Sequence, residues 1–145
     1  MRLSRPLALL AVLSLLIAGC GLDSTELKIR IVTADNMRTL AQAIDEVVAE
    51  GGDGVSVLTD LLDYDAVEDL YLDNVTGAEE LDDEELLAEV NRIRIAAVRG
   101  LAEIGSASAA SPLHESAYGE GGAGPSGEDG FIAEQNARFR EEVIA

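Results

Sequence analysis

From Asp82 to Gly105 the chain carries apolar residues at three- and four-residue intervals: Leu86, Val90, Ile93, Ala97, Leu101 and Ile104. That spacing lays one apolar stripe along a helix. It constrains the fold more than any other segment, fixing a rod of about 33 Å. Its ends are signalled as firmly as its stripe. Asp82 followed three residues later by Glu85 fits a capping box, with Asp in the usual Ser or Thr place, and Leu81 and Leu86 occupy the hydrophobic-staple positions. Asp83, Glu84 and Glu85 set negative charge against the positive end of the helix dipole. Gly105 stops the helix.

The same periodicity recurs elsewhere. Met37, Leu40, Ala41, Ile44, Val47 and Val48 predict an amphipathic helix over about residues 35–50. Gly51 and Gly52 end it, and Asp53 can cap a second helix with Val55, Leu58, Leu61 and Leu62 as its apolar face. Residues 67–72 continue as a short helical segment, and residues 74–77 read as a turn. Residues 106–118 hold one more short helix, with Pro112 near its start. Residues 119–130 are rich in glycine and read as a flexible linker. The tail, 131–145, is amphipathic through Ile132, Gln135, Phe139 and Val143 and is expected to dock, since a helix of about fifteen residues is marginal alone. Leu27-Lys28-Ile29-Arg30-Ile31 alternates as a strand would, yet Leu27 and Ile31 also lie one helical turn apart, so it fits a strand or the start of a helix. No second strand is evident to pair with it. The fold class expected is all-α.

The leader is as distinctive as the long helix. Arg2 and Arg5 precede an apolar run, residues 7–17, interrupted by Ser14 alone. This is the pattern of a secretory signal and falls short of the roughly 20 residues a membrane span needs. Its end, Ile17-Ala18-Gly19-Cys20, resembles the lipobox of bacterial lipoproteins. The resemblance implies cleavage between Gly19 and Cys20 and acylation of Cys20, with the bilayer as partner. One short acyl chain binds only reversibly at about 0.8 kcal/mol per buried methylene, whereas two or three on one residue hold firmly. Residue 21 is Gly rather than the Asp that tends to retain relatives at the inner membrane, so an outer-membrane site is favoured in a Gram-negative cell. The expected organisation is a cleaved signal (1–19), a lipidated tether (20–26), a helical domain (27–118), a flexible linker (119–130) and a C-terminal helix (131–145).

Charge and cysteine bound the rest. Cys20 is the only cysteine, so the mature body has no disulfide and relies on packing. The chain has 10 basic and 28 acidic residues. Arg2 and Arg5 leave with the leader, so the mature form keeps 8 basic and 28 acidic residues, a net charge of −20. Such a surface excludes nucleic-acid binding and electrostatic attraction to anionic lipid. It suits solubility in salt, where counterions screen the self-repulsion.

Residues 93–105 (Ile93 and Arg94, the alanines at 96 and 97, Leu101, Ile104-Gly105), followed by Ala110 and Leu113, resemble one HEAT-type repeat of the phycobilisome-lyase-like class. Residues 38–62 repeat the helix–glycine–helix plan loosely. The spacing of about 55 residues exceeds the usual period of about 40–47, and two units are fewer than an open solenoid needs. The expectation is a small helical bundle or a two-repeat HEAT-like array. The resemblance implies a binding scaffold.

Candidate chemistry is sparse. His114, the single histidine, lacks an arrangement that would make it a catalytic base. The acids between Asp60 and Glu85 lack the glycine and closing glutamate of a calcium loop and read as a solvated face. No glycine-rich phosphate cradle is present, and no cofactor, metal site or catalytic residue is expected. Arg92, Arg94 and Arg99 form the only basic cluster of the mature chain. They pair within the helix, Arg92 with Glu89 and Arg99 with Glu103, or else serve as an interaction surface for an acidic partner. The function expected is a non-catalytic, membrane-anchored interaction module of the cell envelope. Its contact surface is the apolar groove between the helices at 35–50 and 82–104, and its protein partner is unidentified. The alternative is an acidic, calcium-binding envelope protein.

Overall fold

A computed structural model of the chain describes residues 23–105, 107–118 and 130–144, and among these the side chains of 117, 118, 130–133 and 135 are left aside. The described residues form seven α-helices and no strand, in a small all-α bundle. They are α1 (Ser24–Val32), α2 (Met37–Ala49), α3 (Gly52–Asp60), α4 (Tyr64–Asn74), α5 (Asp83–Ile104), α6 (Ala110–Tyr118) and α7 (Gly130–Ile144), with short 3₁₀ turns at Ala78–Glu80 and Ala107–Ala109.

The ambiguous segment at 27–31 is helical. Asp23 caps α1 by accepting from the Thr25 N–H at 3.3 Å, and the helix buries Leu27, Ile31 and Val32. The four-residue spacing decides, because one stripe can be covered by α2 and α4 whereas a lone strand would leave its ladder unpaired. The helix therefore takes in residues 24–26 of the expected tether, and the helical body begins three residues before residue 27.

Residue Asn36 caps α2 through a capping box with Thr39. Gly51, at φ 61, makes the turn into α3, so Asp53 lies in the first turn of α3 and is not its cap. Asp63 caps α4 by accepting from the Ala66 N–H at 2.9 Å, and that helix begins at Tyr64, before the expected segment. The long helix is as its sequence dictates. Asp82 Oδ1 accepts from the Glu85 N–H at 2.8 Å, Glu85 Oε2 accepts from the Asp82 N–H at 3.3 Å, and Gly105 ends it at φ 63.

Helix α5 is the axis of the bundle, touching α2, α3, α4 and α7. It consequently buries more than one stripe: Leu87, Asn91, Arg94, Val98 and Gly100 join Val90, Ile93, Ala97 and Leu101 out of solvent. Gly100 permits the closest approach. A Cβ there would fall 2.9 Å from both Ile44 Cγ2 and Leu58 Cδ1, so α2 and α3 pack directly on the α5 backbone. Lys28–Asp60 (2.9 Å) and Arg30–Glu46 ion pairs tie the rim of α1 to α3 and α2. The tail helix docks as expected, with Phe139 fully buried against α5 and Val143 packed on the core edge. Of the linker expected at 119–130, residues 119–129 lie outside the described residues and Gly130 begins α7.

Candidate functional site

The small side chains of Ala41 on α2 and of Ala96 on α5 leave a cleft of about 190 Å³ between the two helices, with Gly100 in its lining. Met37, Leu40 and Ile44 complete its apolar wall, and Asp45, Arg99 and Glu103 stand at its mouth. This is the groove expected between the helices at 35–50 and 82–104. Met37 is 59% exposed and is a wall of the cleft instead of the core residue its periodicity suggested.

The three arginines do not form one surface. Arg94 lies about 200° round the helix from Arg92, at 100° per residue, whereas Arg92 and Arg99 share a face two turns apart. Arg92 pairs with Glu89 at 2.7 Å as expected, and also donates to the Ala34 carbonyl at 3.1 Å, pinning the α1–α2 turn. Arg99 does not pair with Glu103. It makes a fork to Glu142 of α7, Nε to Oε1 at 2.7 Å and Nη2 to Oε2 at 3.0 Å. The two-pronged guanidinium–carboxylate contact is the stronger geometry. The pairing raises the Arg99 pKa and lowers that of Glu142.

Arg94 has no exposure at all, which removes it from any interaction surface. Its Nε donates to the Leu62 carbonyl and its Nη1 to Asn91 Oδ1, both at 2.8 Å. Its guanidinium lies 3.8 Å from the Phe139 ring centroid and 5.7 Å from that of Tyr64. Burial pulls its pKa down from 12.5 to about 10, with Asp63, Tyr64 and Asp65 partly opposing. The group stays cationic at neutral pH and binds α4, α5 and α7 into one core.

Burial, then the neighbouring Glu68 that accepts its hydroxyl proton at 3.1 Å, pushes the Tyr64 pKa well above 10. Burial also raises Tyr71. Folded values above the unfolded one confer stability that is full below pH 10 and is lost as pH rises through the folded values. Arg94 works in the opposite direction over the same alkaline range, since its lowered pKa makes charge burial costly only while the proton is held. With two phenols against one guanidinium, stability is expected to fall as pH rises above about 10, and Tyr64→Phe to make that fall shallower. Urea midpoints across this range check it.

The remaining sequence candidates are scattered. His114 is exposed on α6. Of the acids between 60 and 85, Asp63 and Asp82 cap helices and Asp60 pairs with Lys28. Among the described residues no group of three or more His, Cys, Asp or Glu side chains could hold a metal ion, and no helix is long and apolar enough to cross a membrane. Gly19 and Cys20 lie outside the described residues. No family model matches the chain, and neither a curated protein nor a solved structure does.

Sequence reasoning missed the lips of the cleft. Asp45 carries no signal of its own in the sequence, and Glu103 reads there as the partner of Arg99. The available signal was the set of small residues at Ala41, Ala96 and Gly100, which reads equally as close packing. Gly100 does pack closely on Ile44 and Leu58, while Ala41 and Ala96 leave the gap.

Proposed function

We propose that this chain is an exported lipoprotein held at the bacterial envelope by acyl chains on Cys20, and that its helical body is a non-catalytic interaction module. The observation that carries the reading is Ile17-Ala18-Gly19-Cys20 behind Arg2, Arg5 and the apolar run of residues 7–17. Gly21 favours the outer membrane in a Gram-negative cell. Only residues 21 and 22 separate Cys20 from the Asp23 cap of α1. At about 3.5 Å per extended residue that leaves a tether of roughly 10 Å, so the body rides directly on the headgroups. The cleft between α2 and α5 is the contact surface.

Cells grown with a clickable palmitate analogue should yield labelled protein in the membrane fraction, with Cys20 as the first residue of the mature chain by mass spectrometry. Cys20→Ser should abolish the label and block cleavage before residue 20. Wild-type protein recovered unlabelled would overturn the reading.

A further inference from the structure

We propose that the α2–α5 cleft receives a basic amphipathic segment of a partner protein, an apolar side chain of that segment filling the cleft while its Lys or Arg residues face Asp45 and Glu103. The inference deepens the interaction-module reading by naming the partner's chemistry, and it rests on that reading.

Size comes first. Pockets for whole small-molecule ligands run from about 300 to 1,000 Å³, and this one has about 190 Å³. It accommodates an anchor side chain better than a complete ligand. The floor is apolar, from Leu40, Ile44 and Ala96, and the flexible thioether of exposed Met37 lets one wall adapt. A groove between two helices with an apolar floor takes the apolar face of an amphipathic helix.

Charge then selects the occupant. Asp45 stands on the α2 lip and Glu103 on the α5 lip, both exposed. Among the described residues neither is held in an ion pair, whereas the one cation at the mouth, Arg99, is already taken up by the fork to Glu142. The mouth therefore presents two uncompensated carboxylates. A second copy of this chain is a poor occupant, since each carries a net charge of −18 or lower and the two would repel. An acidic partner is rejected by the same lips. A basic one is steered in and held in register.

The test uses the full chain and three fluorescein-labelled 18-residue peptides, read by anisotropy. The probe is an amphipathic Leu/Lys helix; its companions carry Glu for Lys, or Ser for Leu. The Leu/Lys peptide should bind and the other two should not. Ala41→Phe fills the cleft without changing charge, and Asp45→Lys/Glu103→Lys reverses the lips. Each should weaken binding by about tenfold or more, the scale of losing an anchor or a set of close charge pairs. The control Glu79→Lys/Glu80→Lys changes net charge as much at a distant exposed turn, and should leave binding within about twofold. Equal binding to Ala41→Phe protein of native circular dichroism would overturn the proposal, as would equal losses in the two charge-reversed variants. The second comparison stands even where Ala41→Phe does not fold. Acylation is irrelevant to this assay, so its failure leaves the palmitate result intact, and the converse holds.

Discussion

Arg94→Ala is expected to lower the unfolding free energy by about 3–5 kcal/mol, the range for truncating a large, fully buried side chain. For a domain of this size that is a fall of roughly 10–20 °C in Tm. The guanidinium has no exposure and fills the space between Tyr64 and Phe139, so truncation empties a site that the core cannot easily close. It also strands two buried acceptors, the Leu62 carbonyl and Asn91 Oδ1, at about 1–3 kcal/mol each where no water replaces the donor. The charge itself pulls the other way, because burial disfavours it. Arg94→Met keeps the stem and drops the charge. It should cost less, within about 2 kcal/mol of wild type, the stranded acceptors being offset by the relieved desolvation. Lys in this place keeps the charge and loses the fork, and should fall between Met and Ala. Urea unfolding at neutral pH with a constant m-value checks the order. Equal losses for Met and Ala would show that the stem contributes nothing.

The second large effect is expected at Gly54. A Cβ there would run into the Val47 carbonyl oxygen, with the Val47 carbonyl carbon and Cγ1 each 3.1 Å away. Two of these three atoms are backbone, so no rotamer change gives relief, and the α2 end must part from the α3 start. Gly54→Ala should cost about 3 kcal/mol or more, the upper end for overpacking. Gly52, two residues earlier, meets nothing within 4 Å and has no positive φ. Gly52→Ala should therefore stabilise by about 0.4–1 kcal/mol by restricting the unfolded chain. The same chemical change at two positions of one helical turn is expected to have opposite signs, which thermal denaturation of the pair resolves.

What was legible in the sequence was local. Helix α5 announces its own cap, stripe and stop because each is fixed by neighbours within four residues, and the glycines at 51 and 105 mark turns for the same reason. Helix α1 was undecided because five residues of alternating pattern satisfy both periods, and the cover provided by α2 and α4 breaks the tie. Gly51 displaced Asp53 as the start of α3 because only positive φ turns the chain sharply enough after α2. The arginines defeated local reasoning in a different way. Nothing near Arg94 in sequence shows that a carbonyl 32 residues earlier and a ring 45 residues later will enclose it. Arg99 had an acceptable neighbour in Glu103 and took a better one 43 residues away. The cleft was visible as a pair of facing helices, while its acidic lips required knowing which carboxylates remain unspent after folding.

Phe139 lies over Arg94 and belongs to α7. Docking of that helix therefore adds to the dehydration of a guanidinium that the Leu62 carbonyl, Asn91 and Tyr64 already enclose. Docking gains the aromatic face and the Arg99–Glu142 fork but gives up water around a cation. Undocking of this helix is expected to precede melting of the rest. Amide exchange should register this as faster turnover along residues 134–144 than along the α5 surface they cover.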